Sequence, residues 1–164
     1  LYVDSVNDRV GINDSTPSHS LDVAGSDGVN LGCGAIFEKV NIVANCAANG
    51  SSNIDLLTSS VWLFTSTCSG NWTPNFRGDA SNSLDSIMST GQVIVATIIS
   101  ANGGSTGYSS NMNIDGSGQT EYWSNDETPD ERGGTSGYDV YQYSIIKTGG
   151  GNSYLVLANR TYMD

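Results

Sequence analysis

The side chains best equipped for chemistry are few and scattered. His19 is the chain's one histidine, set between Ser18 and Ser20 in a stretch of turn formers. Acid–base or nucleophilic catalysis would need it beside a second imidazole or an acid at fixed spacing, and the local sequence supplies neither. A Ser-His-Asp or Cys-His set is expected only if His19 reaches the core of the later chain, which its place in the opening segment argues against. The densest charge lies at Asp126, Glu127, Asp130, Glu131 and Arg132, in the stretch NDETPDER. Paired carboxylates of this kind serve glycoside hydrolysis or hold Ca²⁺. Pro129 and the glycines that follow mark a loop, and the spacing matches no EF-hand, so a solvated loop is the simpler reading.

Tyr108, Tyr122, Trp123 and Tyr138 lie near polar loops of the second half. Pyranose faces stack on aromatic rings while Asn, Asp and Gln bond the hydroxyls, and core or interface packing accounts for the same rings. The residues expected to touch a receptor are Tyr108, Trp123, Asp126, Glu127, Asp130, Arg132 and Tyr138. Cys33, Cys46 and Cys68 are odd in number and lack metal-ligand spacing, and a Cys46–Cys68 bridge stays open if their strands pair. No catalytic residue, metal ligand or cofactor is expected, and the chain reads as no enzyme.

The elements that must hold these residues are strands. Gly numbers 20 and Pro 3, with Ser, Thr and Asn filling most of the space between apolar runs, and no segment carries a convincing helical period. The run 61–65, VWLFT, alternates large apolar residues on both faces and belongs inside a sheet. The almost wholly β-branched run 91–100 is the strongest strand signal. Segments 138–148 and 153–163, joined by Gly149-Gly150-Gly151-Asn152, read as a hairpin. The stretch 69–82 reads as a loop whose Trp72 and Phe76 cap one end of the core. About seven or eight short strands with Gly-rich turns predict one all-β head, an antiparallel, jelly-roll-like β-sandwich.

Net charge narrows the function classes. With 6 Lys plus Arg against 17 Asp plus Glu, the formal charge is −11, which repels phosphate backbones and anionic membrane surfaces. No nucleic-acid partner is expected. No run approaches the ~18 apolar residues of a membrane span, so no membrane insertion is expected either, and the start has no signal-peptide pattern. The chain begins without Met inside what reads as a strand, and is expected to be the C-terminal part of something longer.

That opening, residues 1–25, carries three apolar pulses: Leu1 with Val3, Val10 with Ile12, and Leu21 with Val23. Each pair is spaced by two and so shares one face of a short strand. Gly11 leaves the other face of its strand bare, where another backbone could come close. Strands this short are expected to need partner chains.

Leu1-Tyr2-Val3-Asp4, Arg9-Val10-Gly11-Ile12, Pro17, Leu21-Asp22-Val23 and Gly25 together resemble the recurrent collar segment of bacteriophage tail-fibre and virion appendage proteins. The family pattern commonly has Gly where this chain has Asn13, a residue that tolerates left-handed backbone. From about Phe37 onward the chain resembles, more diffusely, β domains of marine-phage virion proteins. The resemblance implies a homotrimer joined through Leu1, Val3, Val10, Gly11, Ile12, Leu21 and Val23. It implies a collar and linker over 1–34, a head over 35–164, other virion proteins upstream, and a place on the phage tail or head. The implied function is a structural fibre part displaying a head that binds a host glycan or protein. The rivals are a capsid-decorating or tail-attached protein without receptor binding, and a polysaccharide-binding or depolymerising protein. Some fibres of this kind end in a self-cleaving helical chaperone, which the last residues here do not resemble. Assembly in a reducing cytosol implies thiols.

Overall fold

Val10, Gly11 and Ile12 sit in the middle of a sheet made by one chain. The computed structural model describes residues 1–25, 29–30, 32, 34–46, 50–102, 107–130 and 136–163. Cys33, Glu131 and Arg132 lie outside the described residues. β1 (Tyr2–Asp4) runs antiparallel to β2 (Arg9–Ile12), with Val3 opposite Val10. β3 (Leu21–Val23) lies parallel along the other side of β2, with Val10 opposite Leu21 and Ile12 opposite Val23. Asp8 and Asn13 flank β2 at φ 54° and 59°, the left-handed conformation that Asp and Asn adopt at low cost.

Paired residues share a face, so Val3, Val10, Ile12, Leu21 and Val23 gather on one side of this sheet. The loop 13–20 lies against the other side. Arg9 Nη1 donates to the Pro17 carbonyl at 2.9 Å. Asp22 Oδ2 accepts from the Ser18 amide at 3.0 Å and from its hydroxyl at 2.9 Å, and these bonds hold the Asp22 carboxyl below its ordinary range. A Cβ on Gly11 would stand 2.1 Å from the Asp14 carbonyl oxygen. Two expectations are corrected here. The short strands pair within one chain, because three of them close a ladder that two could not, and Gly11 makes room for its own chain's loop instead of a neighbour's backbone.

The chain divides into two compact units, Leu1–Phe37 and Glu38–Asp164, a boundary three residues beyond the one read from the sequence. The second unit holds two sheets. β5 (Gly50–Asp55), β7 (Trp72–Arg77), β9 (Asn113–Ile114) and β10 (Ser117–Gly118) form a four-stranded sheet in the order β10-β9-β7-β5. The other has six strands: β4 (Val40–Val43), β6 (Val61–Phe64), β8 (Val93–Ala101), β11 (Glu121–Trp123), β12 (Tyr138–Lys147) and β13 (Tyr154–Met163). Their order is β11-β13-β12-β8-β6-β4.

The protein is all-β, and among the described residues the helical elements are one turn, α1 (Leu84–Ile87), and a 3₁₀ turn. The expected antiparallel, jelly-roll pairing is corrected. β4, β6 and β8 run parallel, as do β5, β7 and β9, and β11 runs parallel to β13. Among the head strands only β8, β12 and β13, and the pair β9 and β10, are antiparallel. Hairpin patterns are legible in a sequence because a short turn fixes them, whereas a parallel pair is set by a crossover of any content.

Rings join the two sheets. Trp72 of β7 meets Tyr141 of β12 edge-on at 5.2 Å, and Phe76 meets Tyr143 at 5.0 Å. Trp72 Nε1 donates to the Gly107 carbonyl at 3.0 Å, and Tyr141 Oη accepts from the Ser109 amide at 3.2 Å. Trp72 and Phe76 are therefore central in the core, on a strand, where the sequence read a loop with two capping rings. Pro74 hid that strand. β9 reaches only Asn75 and Phe76, so Pro74 faces a ladder on the β5 side alone, which a strand tolerates. α1 is anchored by Asp115, whose two carboxylate oxygens accept from the Leu84 and Asp85 amides at 2.7 and 3.0 Å. Buried Lys147 pairs with Asp85; burial pulls its pKa down, and Asp85 and Tyr154 together more than offset that, leaving it raised.

Alternate residues of the six-stranded sheet face away from this core. Register aligns Ile42, Leu63, Ile99 and Val140 in one outward row, and Val93, Ile146 and Leu155 in another.

Candidate functional site

β11 decides which aromatic ring meets solvent. Its alternation turns Glu121 and Trp123 toward the core and Tyr122 outward. Trp123 is 8% exposed, with its ring edge-on to Tyr143 at 6.0 Å, whereas Tyr122 is 61% exposed. Trp123, named from the sequence as a receptor contact, is thus a core residue, and its neighbour holds the exposed position. The polypeptide then turns sharply: Asn125 and Asp126 both adopt φ 59°, and the Glu127 amide donates to the Ser124 carbonyl at 3.2 Å. Pro129 is buried and pins the loop, so that Asp126, Glu127 and Asp130 stand exposed around it.

β13 supplies the opposite wall. Its period of two puts Arg160 and Tyr162 on the same side as Val156 and Ala158, beyond the apolar part of that face. Together with the loop they line a cleft of about 650 Å³. The Arg160 guanidinium stands 4.6 Å from the centre of the Tyr162 ring and contacts its hydroxyl. Ser124 Oγ donates to Asn159 Oδ1 at 2.7 Å, tying the loop to the strand at the rim.

Three carboxylates that only accept, a guanidinium that only donates, and a half-exposed phenol ring make a surface suited to a polyhydroxylated ligand. Hydroxyl groups can give to the first, receive from the second and lay C–H faces on the third. Among the described residues, no group of three or more His, Cys, Asp or Glu side chains converges as a metal ion requires. No described helix is long and apolar enough to cross a membrane.

Of the residues named from the sequence, Asp126, Glu127 and Asp130 come together in this cleft. Tyr138 is exposed at the start of β12 and Tyr108 is half-buried, and neither lines it. Arg160 and Tyr162 were missed. The signal lay in β13, where the inward series Val156, Ala158 turns polar at Arg160 and so marks the point where that face leaves the core.

The structure brings Ser18, His19 and Asp22 together, contrary to the expectation that no Ser-His-Asp group would form. Ser18 Oγ lies 2.8 Å from His19 Nδ1, and Asp22 Oδ2 lies 3.7 Å from the same nitrogen. A catalytic triad needs serine and carboxylate on opposite ring nitrogens. Here both address Nδ1, and the serine hydroxyl donates to Asp22, so this group closes a turn. Cys46 and Cys68 are not bridged to each other.

Compared with known proteins, the chain matches no family model, no curated protein and no solved structure.

Proposed function

We propose that this chain is a structural and adhesive part of a phage virion, a portion of a homotrimeric fibre or appendage. Its opening sheet joins three copies, its head presents a glycan-binding cleft, and it carries out no chemical step. One observation carries the reading. The residues that resemble the collar segment form a sheet whose apolar face is open, with Leu1, Val3 and Leu21 91%, 62% and 61% exposed, while its polar face is the one covered by its own loop. That arrangement is inside-out for an isolated chain and suits a unit that meets its own copies around an axis. Sedimentation equilibrium over a wide concentration range tests it. A mass of three chains is expected; a persistent mass of one 17.2 kDa chain, with residues 1–25 resistant to protease, overturns it.

The receptor part rests on the cleft between the loop and β13. Binding to a panel of host-surface polysaccharides should fall about tenfold or more in Arg160→Ala and in Asp130→Ala, since a charged hydrogen bond contributes ~1.5–3 kcal/mol. Melting temperature should hardly move in Asp130→Ala, whose side chain is exposed, whereas Arg160→Ala also removes contacts with Tyr141 and the Tyr162 ring and should lower it somewhat, so binding is compared well below both midpoints. Unchanged binding in both variants favours a structural protein without receptor binding. A shortened polysaccharide, with the loss abolished by Asp126→Asn or Glu127→Gln, favours a depolymerase instead.

A further inference from the structure

We infer that the outward face of the six-stranded sheet is a second self-association surface, buried against another copy of this chain. The inference stands on the head alone and does not depend on the virion reading.

Alternation and register assign the face. Ile42, Leu63, Ile99 and Val140 lie side by side across four strands, and Val95 and Leu157 flank Ser144 on a single rung beyond the intervening Thr97, Gln142 and Asn159. Ile42 is 66% exposed, Val93 57%, Leu157 46% and Val95 45%. Single exposed apolar residues need no explanation, but a continuous sheet face of them does.

Size and charge say what covers it. β8, β12 and β13 are nine, ten and ten residues long. At ~3.4 Å per residue and ~4.8 Å between strands, and with the shorter strands added, the flat footprint is roughly 600 Å², of the order of the ~800 Å² per partner that stable interfaces bury. Among the described residues, the outward positions of these strands include no Asp, Glu, Lys, Arg or His. The whole chain carries −11, so two copies repel over most of their surfaces and meet here without repulsion between facing charges or desolvation of a charge. A basic partner would find no carboxylate on this face to recognise. Thr97, Gln142 and Asn159 form one polar rung across it, which gives a flat apolar contact a register.

Hydroxyl-radical footprinting of the full chain, read residue by residue alongside sedimentation, tests the inference. Leu157, Tyr138 and Met163 are reporters on the face, and Tyr162, comparably exposed but on the other side of β13, is the reference. At high concentration the three reporters should oxidise severalfold more slowly than their exposure in one chain dictates, with Tyr162 reacting normally, and dilution should restore their rates. The double variant Val95→Lys, Leu157→Lys should lose protection at Tyr138 and Met163 while its melting temperature holds. If that variant unfolds, Ile42→Lys at the far end of the face gives the same readout.

Reporters that react at full rate in a sample sedimenting as a multimer overturn the inference and leave the opening sheet as the joint. Protection that persists in a monomer shows the face covered by its own chain, and overturns it too. In Leu21→Lys, which disables the opening sheet, the head reporters should stay protected at high concentration, and loss of protection there would make the head contact a mere consequence of the collar.

Discussion

In the opening unit Leu1, Val3 and Leu21 are 91%, 62% and 61% exposed, whereas in the head Phe76, Tyr141, Tyr143 and Ile145 are 0% exposed. Both regions are built from strands with the same alternation and the same turn chemistry. What differs is the second layer. The head's two sheets cover each other through β7 and β12. Among the described residues of the opening unit, the cover is the loop 13–20, which lies against the face carrying Tyr2, Gly11 and Asp22. A strand pattern therefore specifies a face to be buried without specifying where the burying surface comes from. The head supplies its own inner layer, and its outer face poses the opening sheet's problem again on a larger scale.

The sharpest break in that comparison is expected from Phe76→Ala. It opens a cavity between the two head sheets and should cost ~3–5 kcal/mol, visible in denaturant unfolding at any protein concentration. The matched change Leu21→Ala should leave the unfolding of a dilute single chain within about 0.5 kcal/mol, as for an exposed site, while lowering the assembly mass. If Leu21→Ala were as costly as Phe76→Ala in dilute solution, the two regions would not differ in the way proposed.

Next in size is Gly11→Ala. The added Cβ meets the Asp14 carbonyl, a backbone atom that cannot swing aside, and overpacking of this kind costs ~1–3 kcal/mol. The loss should be confined to the opening unit. Limited proteolysis should cut within residues 1–25 while the head melts as before, and a head that melts early would show that the two units do not fold separately.

The smallest effect is one of pH and belongs to the head. Burial pushes the Glu121 carboxyl up from its ordinary value of 4.5, and its Oε1 has no hydrogen-bond partner among the described residues. The folded state then holds this proton to higher pH than the unfolded chain does. Its contribution is complete below the ordinary value and is lost as pH rises through the raised one. Glu121→Gln should flatten the fall in melting temperature as pH rises above 4.5 and leave the chain slightly more stable at neutrality. In the opening unit the sign reverses. Ser18 lowers the Asp22 pKa, so that stabilisation is present above 3.8 and fades as pH falls through the lowered value.

Much of the fold follows from local rules. The hairpin of β12 and β13 is set by a four-residue Gly-rich turn between two alternating runs, and VWLFT lands on an interior strand because both its faces are apolar. Asn13 takes the left-handed backbone that its residue type tolerates, at the position where the family pattern commonly has Gly. β7 escaped because Pro74 and Asn75 interrupt an alternation that only the neighbouring strands reveal. The site was half legible: Asp126, Glu127 and Asp130 announce themselves as a charge cluster, while Arg160 and Tyr162 look like ordinary strand residues until β13 is laid beside β11.

What the sequence determined by itself is everything that depends on neighbours along the chain: the all-β class, most strand positions, the turns, and the apolar pairs of the opening segment. Tertiary structure alone decided which strands run parallel, that Trp123 faces the core and Tyr122 does not, and that the loop 13–20 fills the space beside Gly11. Alternation fixes a side chain's face only relative to its own strand. Which face becomes the inside is settled by the layer that arrives to cover it, and in the head that layer comes from residues dozens of positions away.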